Sequence, residues 1–130
     1  MSSKAKIMVV EDDIDELKLI KMTLEPEGYE VVTAMNGKEA QEKISGNKPD
    51  FIILDVMMPE MDGFSFCSWL RSNEIYHDIP VVLLTGVGAH IYDSKYPLKG
   101  VMQSEADEYL EKPLKPEDLL KTISKLLKSN

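Results

Sequence analysis

The sequence predicts an α/β protein, a doubly wound parallel sheet with helices on both faces, and three observations carry that expectation. Four short apolar runs each lead into residues with chemistry: residues 7–10 into Glu11, Asp12 and Asp13, residues 51–54 into Asp55, residues 81–84 into Thr85, and Tyr109-Leu110 through Glu111 into Lys112. Strands of a parallel sheet are buried on both faces and read as uninterrupted apolar runs of this kind. The stretches between them carry helix-start signals and apolar residues at three- and four-residue spacing, so strands alternate with helices. At 130 residues and 43% hydrophobic content, the chain is the size of one domain, expected over 1–130, and can bury a core without disulfides or structural metal.

Residues 6–10 form the first strand. Asp13 with Glu16 three residues later has capping-box spacing and opens a helix carrying Ile14, Leu17, Ile20, Thr23 and Leu24 on one face, stopped by Pro26 and Gly28. Residues 29–34, from Tyr29 on, are rich in β-formers and make the second strand. Asn36 and Glu39 repeat the capping-box spacing ahead of a helix with Ala40 and Ile44, ended by Gly46-Asn47. The third strand is residues 51–55, a helix follows over 63–71, and Pro80 introduces the fourth strand at 81–85. Residues 107–111 make a short last strand. Pro116 at a first helical position, with Glu117 and Asp118 beside it, opens a final helix whose apolar stripe is Leu119, Leu120, Ile123, Leu126 and Leu127. Between 86 and 106 a helix is due, but Gly88, Pro97 and Gly100 interrupt the pattern, so the fourth helix region is expected to be irregular, short or displaced.

Composition narrows the function. A single cysteine, Cys67, forms no internal disulfide, and neither a secretory leader nor a run of about 18 apolar residues is seen, so a soluble, cytoplasmic protein without a membrane partner is expected. The net charge of -8 and a pI near 4.7 disfavour direct binding to nucleic acid or anionic membrane.

In an open α/β sheet, ligands bind outside the carboxyl ends of the strands, where these polar residues converge. Asp55 ends a buried strand and enters a tight loop, so it is held rigidly with its tip open; a nucleophile and a simple turn cap are its two readings. Of the three acids after the first strand, Asp13 is the best helix cap, which leaves Glu11 and Asp12 to face the cleft. Crowded carboxylates repel, and a hard divalent cation bound by oxygen relieves them; Mg²⁺ suits one or two carboxylates together with waters and a phosphate. Lys112 offers a point positive charge for a phosphoryl oxygen and Thr85 a short donor. Together these groups point to phosphoryl transfer onto Asp55 to give an acyl phosphate.

On these residues the chain resembles the receiver (CheY-like) domain of the bacterial two-component response regulators, essentially from Ile7 through the last helix. The resemblance lies in Asp55-Val56-Met57-Met58-Pro59-Glu60-Met61-Asp62-Gly63, the Glu11-Asp12 pair, Leu84-Thr85-Gly86, and the stretch from Ala106 through Lys112-Pro113. It implies a five-stranded, flavodoxin-like sheet of order 2-1-3-4-5 and a self-catalysed phosphorylation and dephosphorylation of Asp55. It further implies Mg²⁺ held by Asp12, Asp55 and the Met57 carbonyl with Glu11 helping through water, Lys112 and Thr85 on the phosphoryl oxygens, and a cis peptide before Pro113. Thr85 and Tyr109 would be the switch residues, a sensor histidine kinase or histidine phosphotransfer protein the donor, and an unidentified protein the downstream target. In the resembling family the positions held here by Met57 and Val87 flank the path of the attacking water. Neither can orient that water, so slow loss of phosphate is expected.

Other readings compete at particular residues. An aspartate-nucleophile phosphohydrolase normally has a second acid where this chain has Met57, and a flavin-binding domain needs small hydroxyl residues where it has three acids. A receiver-like interaction module that takes no phosphate would not need the full set of strand-end groups. Tyr109 has the plain alternative of a half-buried aromatic. The methionines of the 57–61 loop are expected to pack rather than bind soft metal, His77 and His90 to lie at the surface, and Phe66 with Trp69 to be partly buried.

Overall fold

The computed structural model describes residues 5–56, 62–86 and 106–128. Among the described residues five strands and four α-helices follow in order, with a short 3-10 turn at Glu25–Glu27 after the first helix: β1 (Lys6–Val10), α1 (Ile14–Leu24), β2 (Glu30–Ala34), α2 (Gly37–Ile44), β3 (Phe51–Asp55), α3 (Gly63–Arg71), β4 (Val81–Thr85), β5 (Glu108–Glu111) and α4 (Pro116–Lys128). All five strands are parallel and lie in the order β2-β1-β3-β4-β5. The chain thus steps outward from β1 to β2, then crosses back to build β3, β4 and β5 on the other side, which makes the β1/β3 boundary the topological switch point. The stretch from 87 to 105, where an irregular fourth helix is expected, and the Met57 to Met61 loop lie outside the described residues.

Alternation along each strand divides the core in two. Met8, Val10, Ile52, Leu54, Val81 and Leu83 face α2 and α3, against Ala40, Ile44, Phe66, Cys67 and Leu70. Ile7, Val9, Phe51, Ile53, Val82 and Leu84 face the other way, against Ile20 and Leu24 of α1 and Leu119 and Ile123 of α4. Helices therefore cover both faces, as the continuous apolar runs require. Phe66 is fully buried and Trp69 half-buried, stacked on it with ring centroids 5.6 Å apart.

Three local expectations are corrected. β2 begins at Glu30 rather than Tyr29, and β5 at Glu108 rather than Asp107, because Asp107 turns its carboxylate back to accept the Val81 N–H at 2.8 Å and to pair with Arg71 at 2.9 Å. Ile14 does not join the buried stripe: it is 57% exposed, lying about a quarter-turn from the line of Leu17, Ile20 and Leu24. Finally, the reciprocal half of the first capping box is not made. Asp13 caps α1 by accepting from the N–H groups of Asp15 and Glu16, but its own N–H donates to Glu11 Oε1 at 3.1 Å. In α2 the cap forms between Asn36 and the Glu39 N–H at 2.8 Å, while the Glu39 carboxylate accepts from Met35 rather than from the cap residue.

Candidate functional site

Strand register brings the functional groups to one edge. Val10 pairs with Leu54, Asp55 with Leu84, and Thr85 with Glu111, so the first residues beyond the strands, or the last within them, stand side by side. The backbone continues the pairing past the strand ends: Glu11 N–H donates to Ala34 O at 2.9 Å, Val56 N–H to Leu84 O at 3.0 Å, and Lys112 N–H to Thr85 O at 2.8 Å. Each chemistry-bearing side chain thus leaves from backbone held by the sheet, which fixes its starting point.

Gly63 completes this rigidity from below. Its N–H donates to Val56 O at 2.9 Å, and a Cβ at this position would meet Asp55 O at 2.5 Å and Val56 Cα at 2.8 Å. The start of α3 therefore touches the backbone that carries Asp55, at a distance only glycine allows. Asp62 caps that helix by accepting from Ser65 N–H at 2.8 Å.

Glu11, Asp12 and Asp55 meet, with a carboxylate oxygen of each within 4.8 Å of the others. Glu11 is wholly buried, Asp55 is 4% exposed, and Asp12 is open to solvent. Lys112 reaches in from the far side, its Nζ 3.1 Å from Glu11 Oε2 and 3.5 Å from Asp55 Oδ2. The lysine follows β5 and precedes a cis peptide to Pro113, as expected. Thr85 is buried at the end of β4, and Tyr109 is half-buried, packed against the core on the α2/α3 face. Met57 lies outside the described residues. One acid in the cleft was missed from sequence: Glu16, assigned to the cap, has its Oε1 4.0 Å from Lys112 Nζ.

Electrostatics follow from this crowding. Burial, and then the Asp55 charge, push the Glu11 carboxyl from 4.5 up to about 8, against the opposing pull of Lys112. For Lys112, burial acts to lower its pKa, but Asp55, Glu11 and Glu16 together outweigh it and raise the ammonium above its ordinary value. One ammonium does not neutralise this many acids. Three converging hard oxygens, two of them on buried side chains, form a donor set suited to a small divalent cation.

Comparison with known proteins agrees with this geometry. Residues 7–124 match the response regulator receiver domain, and the chain belongs to that family. It is 38% identical over 126 residues to the probable transcriptional regulator ycf27 of Cyanophora paradoxa, covering 97% of this chain and 49% of that protein. It is equally 38% identical, over 123 residues, to the DNA-binding dual master transcriptional regulator RpaA of Synechocystis sp., covering 95% and 49%. The chain thus spans about half the length of the curated relatives it matches. Among solved structures, it resembles the signal receiver domain of a histidine kinase from Syntrophus aciditrophicus at 35% identity and a TM-score of 0.87, covering 96% of this chain and 91% of that one. The fold is the flavodoxin-like receiver fold, and this chain is a receiver domain of two-component signalling with a phosphoacceptor role. Its expected lack of a nucleic-acid partner needs correction in scope: relatives of twice this length include transcriptional regulators, and the charge argument concerns only these 130 residues. Among the described residues no helix is long and apolar enough to cross a membrane.

Proposed function

We propose that this receiver catalyses the transfer of a phosphoryl group to Asp55 from a phosphohistidine on a sensor kinase or phosphotransfer protein, with Mg²⁺ as the required cation. The observation that carries the reading is the bridging position of Lys112, whose ammonium contacts both Asp55 and Glu11 while Asp12 completes the acidic cluster. Asp12 and Asp55 would hold the metal directly, with Glu11 behind them. When bound, Mg²⁺ supplies charge neutralisation for the phosphoryl oxygens and for the crowded carboxylates.

The chain's own residues do the rest. Asp55 presents its carboxylate from a backbone pinned by β1, β4 and Gly63, so attack needs little reorganisation. Lys112 offers its ammonium to an equatorial phosphoryl oxygen, and Thr85 its hydroxyl from the β4 side. The new acyl phosphate then draws Thr85 toward it and biases the half-buried Tyr109, altering the face that β5 presents to a downstream protein. Residues 1–130 act as a single domain in this scheme, and any nucleic-acid contact of a longer protein is assigned to chain outside it. A direct test is to incubate the protein with a small phosphodonor and follow intact mass. One phosphoryl group is expected in Mg²⁺ and none in chelator; equal uptake in both would remove the metal from the reaction.

A further inference from the structure

We propose that Glu16 is a specificity-determining residue of this cleft, a fixed negative charge that slows doubly charged small phosphodonors more than singly charged ones. The inference rests on the phosphoacceptor reading above and adds a residue that neither the metal cluster nor the phosphoryl-binding set includes. Its origin is a displaced hydrogen bond. A glutamate three residues after a helix cap ordinarily returns its carboxylate to the cap's own N–H. In this chain that N–H donates to Glu11, and the Glu16 carboxylate lies instead 4.0 Å from Lys112 Nζ with its side chain only 14% exposed.

Its backbone is held by the cap of α1. Glu16 sits in the first turn of α1, its N–H donating to Asp13 Oδ1 at 3.3 Å. Lys112 therefore stands among three carboxylates, at 3.1 Å from Glu11, 3.5 Å from Asp55 and 4.0 Å from Glu16. Glu11 and Asp55 belong to the cluster that a divalent cation neutralises, whereas Glu16 does not. With the cluster filled, Glu16 remains as the nearby anion that draws the ammonium toward α1 and repels an incoming phosphodonor.

Those two actions differ in how they depend on the donor. Drawing on Lys112 slows every donor alike, while repulsion grows with the donor's own charge. Acetyl phosphate is a dianion near neutral pH and phosphoramidate a monoanion. Removing one unit charge several ångströms from a half-solvated path should speed a dianion by roughly three- to tenfold and a monoanion by roughly two- to threefold.

The test compares initial phosphorylation rates in saturating Mg²⁺ for the wild type, Glu16→Gln and the surface control Glu25→Gln, using acetyl phosphate and phosphoramidate in turn. Glu16→Gln should raise both rates, acetyl phosphate the more, and the wild type's discrimination between donors should shrink as salt is added. Glu25→Gln should leave the ratio of the two rates unchanged. Rates that rise equally for both donors, stay unchanged, or fall in Glu16→Gln would overturn the inference while leaving Asp55 as acceptor. If the wild type takes phosphate from neither donor, the phosphoacceptor reading itself fails and this inference with it.

Discussion

Glu11 makes the stability of the metal-free protein depend on pH in an unusual direction. A carboxyl raised from 4.5 to about 8 on folding keeps its proton in the native state over an interval where the unfolded chain has lost it. Unfolding releases that proton, so stability is greatest below the lower value and declines as pH rises through the higher one. Each pH unit across that interval removes at most about 1.36 kcal/mol, the full effect of one proton. The assay is denaturant unfolding in chelator from about pH 5 to about pH 8, for the wild type and Glu11→Gln. Wild-type stability should fall across the window more steeply than that of the variant, and saturating Mg²⁺ should flatten the difference by stabilising the carboxylate. Parallel curves for the two proteins in chelator would refute the claim that a buried, proton-bearing Glu11 sits at the centre of the site.

Three further perturbations address separate parts of the account. Asp12→Ala should abolish stabilisation by Mg²⁺, which for the wild type is about 2.7 kcal/mol at a hundredfold excess over the dissociation constant, as thermal melts with and without metal would show. Gly63→Ala places a methyl 2.5 Å from Asp55 O; the overpacking should cost about 1–3 kcal/mol, offset by up to about 1 kcal/mol of helix propensity, and phosphorylation should slow because the displaced atoms carry Asp55. Unchanged melting and unchanged uptake in that variant would show that the α3 contact does not hold the acceptor. Substituting Met57→Asn together with Val87→Glu should speed loss of phosphate without altering the metal requirement, and equal decay in both forms would remove these side chains from control of the attacking water.

The parts of the molecule that were legible in sequence are those where one physical constraint dominates. β1, β3 and β4 are buried on both faces, so burial alone wrote them as apolar runs, and their bounds follow from where polarity resumes. The last helix was marked by Pro116, whose role is local, whereas the Asp62 cap of α3 shows only in the structure. The edge strands were less sharply written. Asp107 looks like strand by position but is claimed by Val81 and Arg71, partners remote in sequence, and Tyr29 similarly falls just before the pairing of Glu30 with Lys6. At the site, Glu11, Asp12, Asp55 and Lys112 could be placed together because each follows a strand of one sheet. Glu16 could not, since its capping-box spacing gives no sign that Glu11 takes the Asp13 N–H first.

The central claim is that the carboxylate at the end of β3, with Lys112 at 3.5 Å, is the atom group that accepts phosphate. The measurement that tests it most directly is intact mass of the wild type and Asp55→Asn after incubation with Mg²⁺ and a small phosphodonor. Asparagine keeps the shape of the side chain but removes the nucleophilic charge, so the fold and the neighbouring groups stay in place. The expected result is a single added phosphoryl group on the wild type and none on the variant; an equal yield on Asp55→Asn would contradict the assignment.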